Sequence, residues 1–523
     1  MKNKRTHRHF TLGIDVGTYS SKGVLVAEDG TVLIETQTPH DMSIPRPGYA
    51  EHDPDTVWWA DFTILCRQIL TQAGADHSIT AEQITAVGVS AIGPCVLPVG
   101  KDGSPLRPSI LYGIDGRAQK QIDHLTARLG AERIRNEAGS DLSSQSGGPK
   151  VLWIRENEPE IWQKTWKIMT STTYLVYRLT GEVVMDHYTA AFFGPLYDIK
   201  HQRWSQDMAE PICLTSILPE LRWASDVAGT VTPEAAALTG LAEGTPVVTG
   251  TADAGSEAVS AGVLNPGQTM LMYGSSMFII SVRDRLESGG VFWPAPFLFP
   301  GTYALAAAMS TTGSLTTWFR DNLAELERQQ EAETGVSAYQ ILAEAAAEIP
   351  PGADGVMVLP YFSGERTPIN DPDARGAFVG INLRTTKAHL YRALLESVGY
   401  GIRHNLEAMA ESGLETGELT AVGGGTKNQV WISIVNDILG KPQLVRPTIG
   451  AAFGDAVLAA IGSGVLSGPD AVEPWLVPAE EIRFNPANTK RYDQFYYLYR
   501  QLYQDTSDVI HRLGKLCVTG EGQ

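Results

Sequence analysis

The chain has 523 residues, 41 basic and 59 acidic side chains and a net charge of -18, a balance that repels a polyphosphate backbone and offers no electrostatic footprint for nucleic acid. The length exceeds what one hydrophobic core organises, so two domains of about two hundred residues or more each are expected. No apolar run follows the basic opening residues as a signal peptide requires, and the stretch from Val87 to Val99 is broken by Gly88, Gly93 and Pro94 before it reaches membrane-spanning length. The four cysteines, Cys66, Cys95, Cys213 and Cys517, are scattered without a CxxC pair; a reducing cytoplasm fits them better than a disulfide framework or a clustered metal site does.

In chain order, Thr11 to Val16 and Lys22 to Glu28 are β-rich runs joined by Gly17-Thr18-Tyr19-Ser20-Ser21, a glycine-containing turn that predicts an antiparallel hairpin. Trp58 to Leu70 has helical periodicity, Ile84 to Val89 reads as a strand, and Thr245 to Gly250 reads as a strand running into Thr251-Ala252-Asp253. A second hairpin is predicted from Thr269 to Tyr273 and Met277 to Val282 around Gly274-Ser275-Ser276, so the chain reads as two related halves. A long helix over Ala388 to Met409, a strand over Leu419 to Val422 ending in Gly423-Gly424-Gly425, and a helix over Trp431 to Leu439 follow; the later helical segments are rich in small residues such as Ala451, Ala452, Ala456 and Ala459. Alternating strands and helices point to an α/β protein.

Three segments carry chemistry. In Asp15-Val16-Gly17-Thr18, followed by Ser20, Ser21 and Lys22, the glycine lets backbone N–H groups approach phosphate oxygens and the hydroxyls can donate to them; alone, the same residues suit an ordinary hairpin turn. In Gly250-Thr251-Ala252-Asp253-Ala254-Gly255 a carboxylate at a strand end leads into a helix, where it can face a cleft, cap the helix, or both. In Gly423-Gly424-Gly425-Thr426-Lys427-Asn428 missing side chains allow a flat base or ribose to lie on the backbone. Neither a Walker A sequence nor a G-x-G-x-x-G fingerprint stands here, so P-loop and ordinary dinucleotide folds lose support.

In this order, with the duplication, the three segments resemble the sugar-kinase branch of the actin, heat-shock-70 and hexokinase ATPase superfamily. Within that branch the chain is similar to FGGY carbohydrate kinases, and among them to xylulokinases, through Tyr361-Phe362-Ser363-Gly364-Glu365-Arg366-Thr367-Pro368, Asn370-Asp371-Pro372, Ala374-Arg375-Gly376 and Gly48-Tyr49-Ala50-Glu51-His52-Asp53-Pro54. The resemblance covers about residues 10 to 470. It implies two ribonuclease-H-like, actin-like ATPase domains with an interdomain cleft: residues 10–260 for sugar, Mg2+ and phosphate turn and catalytic base, 265–470 for nucleotide, and a helical extension over 471–523. It further implies ATP and Mg2+ as cofactors, Asp15 organising Mg2+, and Asp253 accepting the proton of the substrate hydroxyl. Gly17, Thr18, Lys22, Gly274, Ser275, Gly313, Gly424, Gly425 and Asn428 would contact the nucleotide.

The sugar side departs from the pattern. Where xylulokinases carry Met-His, this chain reads Ile92-Gly93-Pro94-Cys95, and the residue after the expected base is Ala254 rather than Asn or Gln. Tyr112, Asp115 and Arg117 resemble a Trp-Asn-Asp-Gly-Arg segment that lines the family's sugar pocket, and are candidate substrate contacts together with Gly93 and Asp253; a loop held by a structural ion pair is the other reading of them. Trp153 and Lys150 match a segment read as packing. The expected substrate is a ketose such as xylulose or ribulose, with glycerol, an alditol, a deoxy sugar or a hexulose open, because losing hydrogen-bonding groups changes specificity more than the chemistry. A small-molecule acceptor is the expected partner, with no nucleic acid and no membrane; a homodimer is compatible with the sequence. A non-kinase actin-like ATPase lacks the Ser363-Gly364-Glu365-Arg366 stretch, and the segment Gly88-Val89-Ser90-Ala91-Ile92 lacks the second glycine of a hydrolase nucleophile elbow.

Overall fold

The structure is a computed structural model that describes residues 9–287, 290–411, 416–447 and 450–518; the basic residues 1–8 lie outside it. The chain forms two compact units, each discontinuous in sequence: Met1–Pro266 with Val282–Leu305 and Thr448–Leu476, and Gly267–Ser281 with Ala306–Pro447 and Val477–Gln523.

The first unit is built on a sheet of β1 (Phe10–Val16), β2 (Ser20–Ala27), β3 (Val32–Pro39), β4 (Ile84–Ala91), β5 (Val227–Thr230) and β6 (Pro246–Val248), ordered β5-β6-β4-β1-β2-β3, with β7 (Thr251–Ala252) pairing to β4. β1 and β4 are covered on both faces and accordingly read as nearly continuous apolar runs, whereas β3 alternates buried and exposed positions as an edge strand does. β1 and β2 are antiparallel with Asp15 opposite Lys22; β1 and β4 are parallel with Asp15 opposite Ser90 and Gly13 opposite Gly88; β7 adds Thr251 opposite Ser90. Ser90 is therefore flanked by the strands that lead to Asp15 and to Asp253.

The helix Ala60–Gln72 packs on β2 and β3, burying Phe62, Leu65 and Ile69. A second helix, Ala451–Gly462, is buried on every side because its residues are small or apolar. It presses onto β1 and β4 at their two glycines: a Cβ added at Gly13 would lie 1.9 Å from the Ala452 carbonyl oxygen, and one at Gly88 would lie 1.9 Å from that of Asp455.

The second unit repeats the plan. β8 (Gln268–Tyr273) and β9 (Met277–Arg283) form a hairpin, followed by β10 (Tyr303–Met309), β11 (Glu418–Val422), β12 (Gln443–Val445) and β13 (Glu480–Ile482) in the order β10-β9-β8-β11-β12-β13. The helix Lys387–Glu411 packs on Gln429–Leu439, with Trp431 Nε1 donating to the Leu395 carbonyl at 3.2 Å. The final helix, Pro486–Val518, closes this unit through tyrosines: Tyr492 donates to Glu396 at 2.9 Å, and Tyr496 to Glu407 at 2.7 Å. Among the described residues no helix is long and apolar enough to cross a membrane.

Candidate active site and nucleotide cavity

The first hairpin turn is closed by the Gly17 N–H donating to the Ser20 carbonyl at 3.0 Å; a Cβ at Gly17 would meet that oxygen at 2.8 Å, so the turn needs glycine. The Gly17 carbonyl lies 3.1 Å from His40 Nε2, and His40 Nδ1 is 2.8 Å from the Asp61 carboxylate, which also accepts from Ser21 Oγ at 2.7 Å. The His40 ring thus bridges the backbone of the turn to Asp61. His52, packed edge-on against His40, is held neutral, its pKa lowered to about 4 by burial first and by His40 second. Sequence pattern alone gave no sign of His40 and Asp61, whose roles arise from strand pairing.

Asp15 and Asp253 come to one place. The pKa of Asp15 is pushed up to about 8, chiefly by burial and next by the charge of Asp253, with Glu257 adding and the Ser90 hydrogen bond and Lys22 opposing. Burial also raises Asp253, to about 6, against the bond it accepts from the Ala254 N–H at 2.8 Å. Both side chains retain some solvent access, but protein encloses them closely enough that two anions side by side are disfavoured. The N-cap of the helix Asp253–Ser260 is Ala252, and Asp253 is its first residue, so the carboxylate does not serve as the cap. Its segment is pegged from three sides: Thr251 Oγ1 donates to Asp186 at 2.8 Å, Thr172 Oγ1 to the Thr251 carbonyl at 2.9 Å, and the Ala252 N–H to Thr189 Oγ1 at 3.1 Å. Gly250 enters it at φ 71°, with Val89 O only 2.0 Å from where a Cβ would stand.

Gly93 lies beside this segment, its added Cβ 3.1 Å from that of Ala252. Tyr112 reaches the first hairpin turn, its hydroxyl 3.1 Å from Thr18 Oγ1. Asp115 and Arg117 are placed differently. Asp115 is fully buried, accepts from the Ala50 N–H at 2.7 Å and pairs with Arg117 at 2.7 Å; Arg117 also bonds Glu51 at 2.8 Å and lies 4.0 Å over the Tyr49 ring. Their polar atoms thus join the 48–52 segment to the loop that carries Tyr112. Buried Lys150 supports the same loop, donating to the Leu111 and Tyr112 carbonyls at 2.6 and 2.8 Å. Gln145, which sequence reasoning missed, accepts from the Gly113 N–H at 3.2 Å.

The second unit holds a cavity of about 790 Å3, and all six second-half residues expected at the nucleotide, Gly274, Ser275, Gly313, Gly424, Gly425 and Asn428, line it. The Gly313 N–H donates to the Gly274 carbonyl at 2.9 Å, and Asn428 caps the helix Gln429–Leu439 by accepting from the Trp431 N–H at 3.0 Å. Tyr273 at the end of β8 and Tyr339, Gln340 and Trp431 on helices add to the wall, contributions that no short motif encodes. In the distinctive Ser363-Gly364-Glu365-Arg366 stretch, Glu365 accepts from the Ser310 and Arg366 N–H groups at 2.7 and 2.8 Å, while Tyr361 and Asp371 bond Tyr499 and Tyr503 of the final helix.

Among the described residues no cluster of three or more His, Cys, Asp or Glu could hold a metal ion by itself. Asp15 is instead a single carboxylate of the kind that would suit Mg2+, which is bound by one or two carboxylates, waters and substrate phosphates.

The model for the N-terminal domain of the FGGY family of carbohydrate kinases matches residues 10–260, and that for the C-terminal domain matches residues 270–463. The crystal structure of xylulose kinase from Rhodospirillum rubrum superposes with a TM-score of 0.88 at 33% identity, covering 96% of this chain and all of that one. Xylulose kinase of Lactococcus lactis is 29% identical over 513 residues, 96% of this chain and 98% of its own length. Glycerol kinase of Nocardia farcinica is 30% identical over 483 residues, 88% of this chain and 92% of its own.

Proposed function

We propose, on the premise that this chain belongs to the FGGY family of carbohydrate kinases and has their two-domain actin-like ATPase fold, that it transfers the terminal phosphoryl group of ATP to a hydroxyl of a pentulose in the cytoplasm. Asp253 accepts the hydroxyl proton as the oxygen attacks in line. The observation that carries this reading is the meeting of Asp15 and Asp253 at adjoining strand ends, each carboxylate raised by burial and Asp15 raised further by Asp253.

In this reading residues 10–260 supply acceptor site, phosphate turn and base, residues 265–470 supply the nucleotide site, and residues 471–523 supply a helical buttress. Asp15 holds Mg2+, which when bound neutralises charge on the phosphates. Gly17 and Thr18 on the first turn and Lys22 on β2 beside it, with Gly274 and Ser275 on the second turn, direct N–H, hydroxyl and ammonium donors at phosphate oxygens. The cavity beside Gly313, Gly424, Gly425 and Asn428 takes the adenosine. The transition state of phosphoryl transfer is loose and the acceptor proton leaves late, so an Asp253 that is ionised at neutral pH suffices as base. Positioning supplies most of the rate, and the three hydroxyl-bearing residues that peg the Asp253 segment serve it.

Tyr112 and Gly93 border the acceptor, with Asp115 and Arg117 acting on it by fixing the Tyr112 loop. Similarity to xylulose kinases favours a pentulose; a smaller polyol is the second reading, because Gly93 and Ala254 bring no polar side chain where those enzymes have one. A panel of pentuloses, hexuloses, alditols and glycerol with MgATP, followed by ADP release, tests both. Stimulation by a pentulose that vanishes in Asp253→Ala supports the proposal, stimulation only by glycerol or an alditol moves it to the second reading, and no stimulation by any acceptor while ATP binds contradicts it.

A further inference from the structure

We propose that Asp455 is a positioning residue that fixes Asp15 and Asp253 relative to one another through two serines, Ser90 and Ser256. It lies on the helix Ala451–Gly462, more than 360 positions from Ser90 in sequence, with no solvent exposure. One carboxyl oxygen, Oδ2, is 2.7 Å from Ser90 Oγ, and the other, Oδ1, is 2.5 Å from Ser256 Oγ. Ser90 Oγ is in turn 3.0 Å from Asp15 Oδ1, and Ser90 stands opposite Asp15 on one side and Thr251 on the other. Ser256 is one turn along the helix that Asp253 begins. A single buried carboxyl group thus touches, through one hydroxyl each, the strand that presents Asp15 and the helix that presents Asp253.

Backbone packing holds the group there. A Cβ at Gly454 would lie 1.9 Å from the Ser256 carbonyl oxygen, and a Cβ at Gly88 equally close to that of Asp455, so the helix is seated directly on both partners. Proton counting then sets the direction of the chain. Ser90 has one hydroxyl proton and two carboxyl oxygens within reach, so both bonds form only if one acid supplies a second proton. Asp455 is the one sealed from water, and burial together with the charge of Asp15 raises its proton affinity well above the usual carboxylate range. Neutral Asp455 donates to Ser90 Oγ, Ser90 donates to Asp15, and Ser256 donates to the other Asp455 oxygen.

This inference rests on the assignment of Asp15 to Mg2+ and Asp253 to the acceptor proton. The test uses the full chain and two readouts: Mn2+ binding in the presence of ADP, followed by electron paramagnetic resonance, and kcat with KM for the best acceptor. Asp455→Ala is expected to weaken Mn2+ binding and lower kcat, each by about 10-fold, the low end for loss of a group that orients a metal ligand, while acceptor KM changes by less than about twofold. Asp455→Asn is expected to rescue most of both, because its amide N–H can donate to Ser90 and its oxygen can accept from Ser256. Ser90→Ala with Asp455→Ala is expected to lose less than the product of the two single losses, since both cut the arm through Ser90.

Unchanged Mn2+ binding and kcat in a folded Asp455→Ala would overturn the inference, as would an Asn variant as impaired as Ala or losses that multiply in the double variant. If the Ala variant does not fold, the Asn variant and Ser90→Ala decide. Asp253→Asn in the same assay separates the two levels: an active Asp253→Asn removes the underlying assignment, whereas an inactive one beside an unaffected Asp455→Ala removes only this inference.

Discussion

In the first unit the candidate site atoms are carboxylates crowded into a desolvated seam, where burial raises both Asp15 and Asp253 and Asp253 raises Asp15 further; in the second they are mostly backbone, ring faces and amides around an open cavity of about 790 Å3. The two halves share a hairpin plan, and the difference lies in what is hung on it. On the proposed assignment the chemistry at Asp15 and Asp253 resides in side chains, so replacing an atom should change the rate, whereas recognition around Gly313 and Gly424 resides in shape, so adding an atom should change affinity and leave the chemical step alone.

The sharpest way to break that contrast is Asp253→Asn, expected to lower kcat by about 1,000-fold, within the usual span for loss of a general base, with KM for ATP nearly unchanged; steady-state kinetics at saturating acceptor check it. Next is Arg117→Met, which leaves the buried Asp115 without its cation. Removing one partner of such a pair should cost about 3 kcal/mol in chemical denaturation, and the loosened Tyr112 loop should raise acceptor KM while KM for ATP holds.

The pH profile sharpens the first half of the comparison. Asp253 is raised to about 6, so its base form is complete well above that pH and is lost as pH falls through it. Bound Mg2+ at Asp15 favours the ionised form and moves the limb to lower pH, not higher. The value of kcat/KM for the acceptor should therefore decline about tenfold per unit on the acid side, from pH 6 or below; a limb starting near pH 8 would contradict this assignment. The smallest expected effect belongs to the second half: Gly313→Ala places a Cβ 2.6 Å from the Gly274 carbonyl oxygen, which should raise KM for ATP by roughly fivefold and leave kcat at saturating ATP within about twofold.

Much of the fold was legible where a local pattern has one physical solution. The β1–β2 and β8–β9 hairpins were legible as β-rich runs around a glycine-containing turn, and the helices Lys387–Glu411 and Gln429–Leu439 were expected over Ala388 to Met409 and Trp431 to Leu439. The packing of Ala451–Gly462 was not legible: its small residues announce close approach, but not that the partners are Gly13 and Gly88 at the other end of the chain. Of the site, Asp15, Asp253 and the glycines of the cavity stand in motifs that sequence order exposes. Asp115 and Arg117 show the limit, since a charged pair two positions apart reads alike whether it faces a sugar or closes a buried knot, and only the positions of Glu51 and Ala50 distinguish the two. Asp455 lies beyond sequence reading because its meaning comes from Ser90 and Ser256, brought to it by two other elements.

The central claim, phosphoryl transfer from ATP to a sugar hydroxyl with Asp253 as base, is tested most directly by phosphorus NMR of a reaction containing MgATP and the best acceptor of the panel. The account predicts a sugar phosphate ester formed in step with ADP by the intact chain and none above background by Asp253→Asn. Inorganic phosphate in place of the ester, or an undiminished ester signal from Asp253→Asn, would contradict it.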